Sequence, residues 1–288
     1  MSDFMPGMQQ QTIRANGIRV NAWVGGEGDP VVLLHGFPQT AQMWRKVAPP
    51  MLNRFTVVCP DLRGYGDSDK PRDGYDKRSM AKDVKETMAA LGFERFALVG
   101  HDRGARVAHR LAVDYTDAVK SLTVLDIVPT HTVFRDAGKD LAAAYWHWFF
   151  FQVPDLPEIM LANSAEPFLR SMFRALCYRQ DAIEEPMFRE YLRAFTLPGT
   201  IRAGLEDYRA AAITDLADDE RDLGRKLSCP VLAIWGEYGK MHTLFNVLAT
   251  WREKAKDVRG HALPCGHFIP EEVPDALMRD MIPFLQQG

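Results

Sequence analysis

The sequence predicts an α/β fold, with a mostly parallel sheet flanked by helices and a helical cap inserted into it. Three observations predict this. Short apolar runs at Val31–Leu34, Phe55–Cys59, Phe96–Val99 and Ser121–Leu125 alternate with helical stretches, the pattern of a parallel sheet built by right-handed crossovers. The alternation stops after Asp126 and resumes at Pro230, and the interval is helical and aromatic-rich, punctuated by Pro154, Pro157, Pro167, Pro186 and Pro198. Finally, Gly100-His101-Asp102-Arg103-Gly104 stands at a strand-to-helix junction. The simplest division is one core of residues 1–128 and 227–288, with a cap of residues 129–226.

In chain order, Thr12-Ile13-Arg14 and Ile18-Arg19-Val20 flank Ala15-Asn16-Gly17, a hairpin signal. The run Val31–Leu34 leads into the loop His35-Gly36-Phe37-Pro38. The strand Phe55–Cys59 leads into a second loop, Asp61 to Ser68. Apolar residues at Met80, Val84, Met88 and Leu91 recur every three or four positions, an amphipathic helix. A strand at Phe96–Val99, a helix over Arg103–Asp114 and a strand at Ser121–Leu125 follow. Beyond the cap come a strand at Pro230–Gly236, a helix over Thr243–Lys256, a strand at Val258–Leu263 and a last helix over Pro274–Leu285.

Composition excludes several classes. The 288 residues are 47% hydrophobic and carry a formal charge of −3, so no broad basic field for nucleic acid exists. No run of about 20 apolar residues indicates a membrane span. The first residues show no basic and apolar signal pattern. Cys59, Cys177, Cys229 and Cys265 are scattered, with no metal-like pair, as expected of free thiols in a reducing cytoplasm. The expected partner is therefore a small molecule, with no metal.

The glycine-flanked pentapeptide has the form Gly-x-nucleophile-x-Gly of an α/β-hydrolase elbow, with Asp102 where serine is usual. A carboxylate there displaces a leaving group from saturated carbon and forms an enzyme-bound ester. The ester needs a base to activate water, and His267 in Pro264-Cys265-Gly266-His267-Phe268 follows the final strand, where this fold places its histidine. Two acids compete to orient it. Asp126 and Glu237 each end a strand, and the apolar neighbours of Asp126 favour a paired, functional carboxylate there. Backbone N–H groups of Phe37 and Arg103 are the expected oxyanion donors. His101 is expected to support the turn rather than to react.

Arg103 and Arg106 share one helix face beside Asp102. They either neutralise nearby acids, as Arg110 is expected to do, or grip a substrate carboxylate with planar guanidinium forks. In the cap, Tyr145-Trp146-His147-Trp148-Phe149-Phe150-Phe151 is chiefly packing. Its imidazole and indole N–H groups, with the Tyr208 hydroxyl, are nevertheless neutral donors suited to a small leaving anion.

Through Gly100 to Arg106, Leu125 to Pro129, Tyr145 to Trp148 and Leu263 to Phe268, the chain resembles the haloacetate (fluoroacetate) dehalogenases of the α/β-hydrolase superfamily. The resemblance also includes His35 to Gln39 and Asp61 to Gly66, which are common across the superfamily. It implies Asp102 as nucleophile, His267 as base and Asp126 as its acid. It further implies that Arg103 and Arg106 hold the carboxylate, while His147, Trp148 and Tyr208 cradle the halide. It implies no cofactor, and a homodimer. Around Glu237 the resemblance lapses, so its share in the acid role stays open. An epoxide hydrolase would use the same Asp102 and His267, with cap tyrosines as acids. A non-catalytic small-molecule receptor is the reading from another class, disfavoured by the complete set of nucleophile, base and acid.

Overall fold

The computed structural model describes residues 4–287; residues 1–3 and 288 of the expected core lie outside the described residues. The first strands, β1 (Gln9–Ala15) and β2 (Ile18–Gly25), form the expected hairpin. Its two-residue turn, Asn16-Gly17, has φ of 46° and 79°, the left-handed values a tight hairpin turn requires. The sheet continues through β3 (Asp29–Leu34), β4 (Phe55–Pro60), β5 (Phe96–His101), β6 (Val119–Leu125), β7 (Val231–Gly236) and β8 (Val258–Leu263). Its order is β1-β2-β4-β3-β5-β6-β7-β8; β1, β2 and β4 pair antiparallel and the remaining pairs are parallel.

Burial explains the strand sequences. The central strand β5 is buried at every position, so it reads as a continuous apolar run. The edge strands β1 and β8 alternate instead, because one face meets water. The chain turns in opposite directions after β3 and after β5, so the crevice at their carboxyl ends is the switch point where ligands collect.

The first helices are α1 (Ala48–Met51), α2 (Lys77–Ala90) and α3 (Arg103–Asp114). Asp76 caps α2 by accepting from the Ser79 N–H at 2.9 Å, and Met80, Val84 and Met88 form its buried face. Between β6 and β7 lie α4 (Thr130–Arg135), α5 (Lys139–Ala144), α6 (Trp146–Phe150), α7 (Leu156–Asn163), α8 (Ala165–Leu176), α9 (Glu185–Phe195), α10 (Thr200–Ala210) and α11 (Leu216–Arg221). They cover the switch point. The ring of Phe37, from the loop after β3, meets Phe151, Phe168, Phe195 and Tyr208 edge-on at centroid distances of 5.7, 6.4, 5.9 and 5.3 Å.

One expected helix is two. The stretch Thr243–Lys256 divides into α12 (Lys240–Leu244) and α13 (Val247–Lys254). Phe245 is extended between them, and the Asn246 side chain accepts from the Ala249 N–H at 3.1 Å, starting a new helix. A short helix absent from the sequence reading, α14 (Ile269–Glu272), follows the histidine loop, and α15 (Pro274–Leu285) ends the chain as expected. Among the described residues no helix is long and apolar enough to cross a membrane. All four cysteines are free and buried.

Candidate active site

Asp102 sits at the end of β5 with φ 49° and ψ −118°, a strained conformation for a non-glycine residue. Such strain costs about 1–3 kcal/mol and survives only where the surroundings impose it. Here the imposition is steric. A Cβ on Gly104 would lie 2.2 Å from the His35 carbonyl oxygen, and one on Gly100 would lie 2.5 Å from the Ala105 Cα. The turn thus packs α3 directly against the loop after β3. That loop brings the Phe37 N–H to Asp102 Oδ1 at 2.9 Å. The Arg103 N–H is the first of α3, among the four that a helix leaves without an internal acceptor.

Asp126, ending β6, also has a left-handed φ of 50°. This bend turns its carboxylate toward the histidine loop. Oδ2 accepts from His267 Nδ1 at 2.6 Å and Oδ1 accepts from the Gly236 N–H at 2.9 Å. The competition between acids therefore has a geometric answer. Glu237 is exposed one residue beyond β7, and it makes no hydrogen bond with His267 among the described residues. With Nδ1 donating to Asp126, His267 presents a bare Nε2 toward Asp102 Oδ2 at 3.9 Å, too long for a hydrogen bond.

Electrostatics suit that arrangement. Burial opposes ionisation of Asp102, but His267, His101, Arg103 and Arg106 outweigh it and hold its pKa below the usual carboxylate value. Burial likewise opposes charge on His267, yet Asp126 and Asp102 raise its pKa above that of a free imidazole. His101 donates from Nε2 to the His267 carbonyl oxygen at 2.8 Å, and burial pushes its pKa down to about 3. It supports the histidine loop as well as the elbow.

Both arginines are buried beside Asp102, but their forks are partly occupied. Arg103 donates from Nε and Nη2 to Asp207 Oδ1 at 3.1 and 2.5 Å, and from Nη2 to the Asp207 carbonyl at 2.7 Å. Arg106 Nη1 donates to the Val128 carbonyl at 3.1 Å and to Thr130 Oγ1 at 3.0 Å. Left over, buried and without protein partners, are Arg103 Nη1 and Arg106 Nε. Burial and the Arg103 charge lower the Arg106 pKa to about 10, against the opposing pull of Asp102. Arg110, as expected, pairs with Asp114 and Asp222.

The cap closes the site. The guanidinium of Arg103 lies 4.4 Å from the centre of the Tyr208 ring, and that of Arg106 lies 4.6 Å from Trp148. His147 and Trp148 meet the Tyr208 ring at 5.7 and 5.6 Å, so these cap residues converge with the arginines. His147 Nδ1 is buried without a partner, and burial pulls its pKa down to about 4, leaving a neutral imidazole.

Sequence reasoning missed one residue. Asp207 anchors Arg103, Lys77 and the Tyr65 hydroxyl, the last at 2.7 Å. The available signal was its place on the same helical face as Ala203 and Gly204. Tyr145, one of the cap tyrosines that an epoxide hydrolase would use as acids, has a buried hydroxyl without a partner. Burial raises its pKa well above the ordinary phenol value, reinforced by the charges of Asp126 and Asp102. Among the described residues, no group of three histidine, cysteine or acidic side chains could hold a metal ion.

The resulting site is a strained carboxylate with an oxyanion donor, a histidine–aspartate pair and an unsatisfied cationic wall. It can perform nucleophilic displacement followed by hydrolysis. Comparisons with known proteins agree in kind and divide on the substrate. The chain is 41% identical to a fluoroacetate dehalogenase from Burkholderia sp., over 98% of this chain and 95% of that protein. It is 37% identical to a soluble epoxide hydrolase from Corynebacterium sp. (strain C12), over 93% and 94%. A crystal structure of a candidate α/β hydrolase from Nostoc sp. PCC 7120 superposes with a TM-score of 0.96 at 48% identity, covering 98% of this chain and 99% of that one. With the profile of the alpha/beta hydrolase fold matching residues 29–274, the chain belongs to the α/β-hydrolase family and is a hydrolase of that kind.

Proposed function

We propose that the protein hydrolyses haloacetates to glycolate and halide. The observation that carries this reading is the pair of buried arginines beside Asp102 with unpartnered N–H groups, Arg103 Nη1 and Arg106 Nε. A neutral substrate leaves them unsatisfied, whereas a carboxylate answers both.

In this reading the substrate carboxylate binds the arginines. Asp102 Oδ2, the oxygen not held by Phe37, attacks the halogen-bearing carbon; the carbon–oxygen bond forms as the halide leaves with the bonding electron pair. His147, Trp148 and Tyr208 surround the departing halide with neutral donors, which matters most for strongly hydrated fluoride. His267 Nε2 then takes a proton from water as the water oxygen attacks Cγ of Asp102. The negative charge gathers on Oδ1, against the Phe37 and Arg103 N–H groups; one such donor is worth about 2.7–4 kcal/mol. The intermediate collapses by breaking the bond from Cγ to Oδ2. Glycolate leaves with that oxygen and recovers the proton from His267, and Asp102, now carrying the other proton of the water, releases it to solvent and returns to the carboxylate. The chemistry consumes only water and needs no cofactor.

Epoxide hydrolysis is the second reading, favoured by the Tyr145 hydroxyl, which is buried and unpartnered near both catalytic carboxylates. Halide release from fluoroacetate, chloroacetate and 1-chlorobutane, beside diol formation from styrene oxide, separates the readings. Turnover confined to the haloacetates is expected. Equal turnover of the neutral chloroalkane would remove the carboxylate clamp, and preferential opening of the epoxide would favour the second reading.

A further inference from the structure

The loop carrying His267 is held by a carboxylate that the proposed chemistry does not use. Glu272, in α14, is only 2% exposed. Four backbone N–H groups converge on it. Phe268 donates to Oε1 at 3.1 Å, while Gly266, Tyr178 and Arg179 donate to Oε2 at 3.0, 2.8 and 2.9 Å. No lysine or arginine side chain pairs with this carboxylate among the described residues; the Arg179 guanidinium donates instead to the Glu272 backbone carbonyl at 3.1 Å. Buried carboxylate oxygens need hydrogen-bond partners, and these four N–H groups supply them.

The donors come from two places. Gly266 and Phe268 flank His267 on either side, whereas Tyr178 and Arg179 belong to the segment leaving α8. The His267 N–H itself donates to the carbonyl of Leu176, the last residue of α8, at 2.9 Å. This junction is tight. A Cβ on Gly266 would lie 2.4 Å from the Leu176 oxygen and 2.6 Å from the Tyr178 nitrogen. The Phe268 ring also packs on Phe173 of α8 at 5.1 Å. The backbone of the histidine is therefore located by the cap helices as much as by the sheet.

We infer that Glu272 is a positioning residue for His267, locking the histidine loop and the end of α8 into one unit so that Nε2 faces the gap before Asp102. The inference rests on the role proposed above for His267. Attack by Asp102 does not require that histidine, whereas hydrolysis of the ester does. Loosening the junction therefore spares the first step and slows the second.

Two substitutions test this. Glu272→Gln keeps the volume but turns an amide NH₂ toward N–H donors, and Gly266→Ala wedges the same junction while keeping the carboxylate itself, its Cβ lying 2.4 Å from the Leu176 oxygen and 3.0 Å from Glu272 Oε1. Rapid-quench halide release and intact-protein mass are followed on both, with wild type and His267→Asn as references, using the haloacetate turned over fastest. The expected result is a stoichiometric halide burst at the wild-type rate, followed by turnover slowed about tenfold or more as the ester adduct accumulates. If Glu272→Gln does not fold, the Gly266→Ala result decides by the same readout. Burst and steady-state rates falling together, with no adduct while His267→Asn does accumulate it, would overturn the inference alone. Absence of adduct in His267→Asn would overturn the reading of His267, and this inference with it.

Discussion

The two oxygens of Asp102 are not equivalent, and most of the proposed chemistry follows from that. Oδ1 is held by the Phe37 N–H at 2.9 Å, while Oδ2 faces His267 Nε2 across 3.9 Å. The gap has a consequence for pH. His267 has its pKa pulled down by burial and raised further by Asp126 and Asp102, with the net shift upward. Only the unprotonated ring accepts a proton from water, so ester hydrolysis falls as pH drops through that pKa. In the ester, Asp102 has lost its charge and no longer raises the pKa. The acid limb of single-turnover ester hydrolysis should therefore lie below the imidazole titration of the free enzyme, read by NMR; coincident values would contradict it. Asp207 makes a second residue-scale prediction. Asp207→Asn leaves Arg103 buried without its carboxylate, while Lys77 keeps Asp215, costing about 3–5 kcal/mol of stability. It also frees the Arg103 fork to swing from the substrate, so KM for a haloacetate should rise more than kcat falls. Thermal unfolding and steady-state kinetics measure both, and an unchanged KM would detach Asp207 from substrate binding.

At the scale of elements, the elbow depends on how closely α3 approaches the loop after β3. A methyl group on Gly104 would lie 2.2 Å from a backbone oxygen, whereas one on Gly224 meets nothing within 4 Å. Gly104→Ala should therefore misplace Asp102 against Phe37 and reduce kcat/KM by about 100-fold or more, since displacements of about 1 Å have that effect. Gly224→Ala should be close to neutral, and equal activity of the two variants would refute the argument. Elements were also where local sequence was most legible. The hairpin turn, α3 and α15 carry signals between residues close in the chain, and those patterns are readable in the sequence. The break at Phe245-Asn246 was not, because the run of residues around it keeps a helical composition and only the Asn246 cap divides it.

For the whole molecule, the cap presents Trp146, Phe149, Leu156, Ile159 and Met160 to solvent, at 47, 38, 48, 61 and 50% exposure. Large apolar side chains left exposed on α6 and α7 are the kind of surface an association site uses. A homodimer of twice 32.6 kDa is the expected species in light scattering, with Ile159→Glu shifting it toward the monomer. A monomer at working concentration would contradict the expectation.

What the sequence determined by itself was the fold class and a set of candidate participants for the proposed chemistry: Asp102 in a glycine-flanked elbow, His267 after the last strand, and two arginines one helical turn apart. Each signal lies within a few residues, so chain geometry alone makes it readable. Tertiary structure decided what depends on distant approach. It separated Asp126 from Glu237 through a left-handed bend that aims only the former at His267. It also brought Asp207 to Arg103 across 104 residues and Glu272 to Tyr178 across 94. Buried carboxylates are defined by the donors that surround them, and those donors come together only when the sheet and the cap pack against each other.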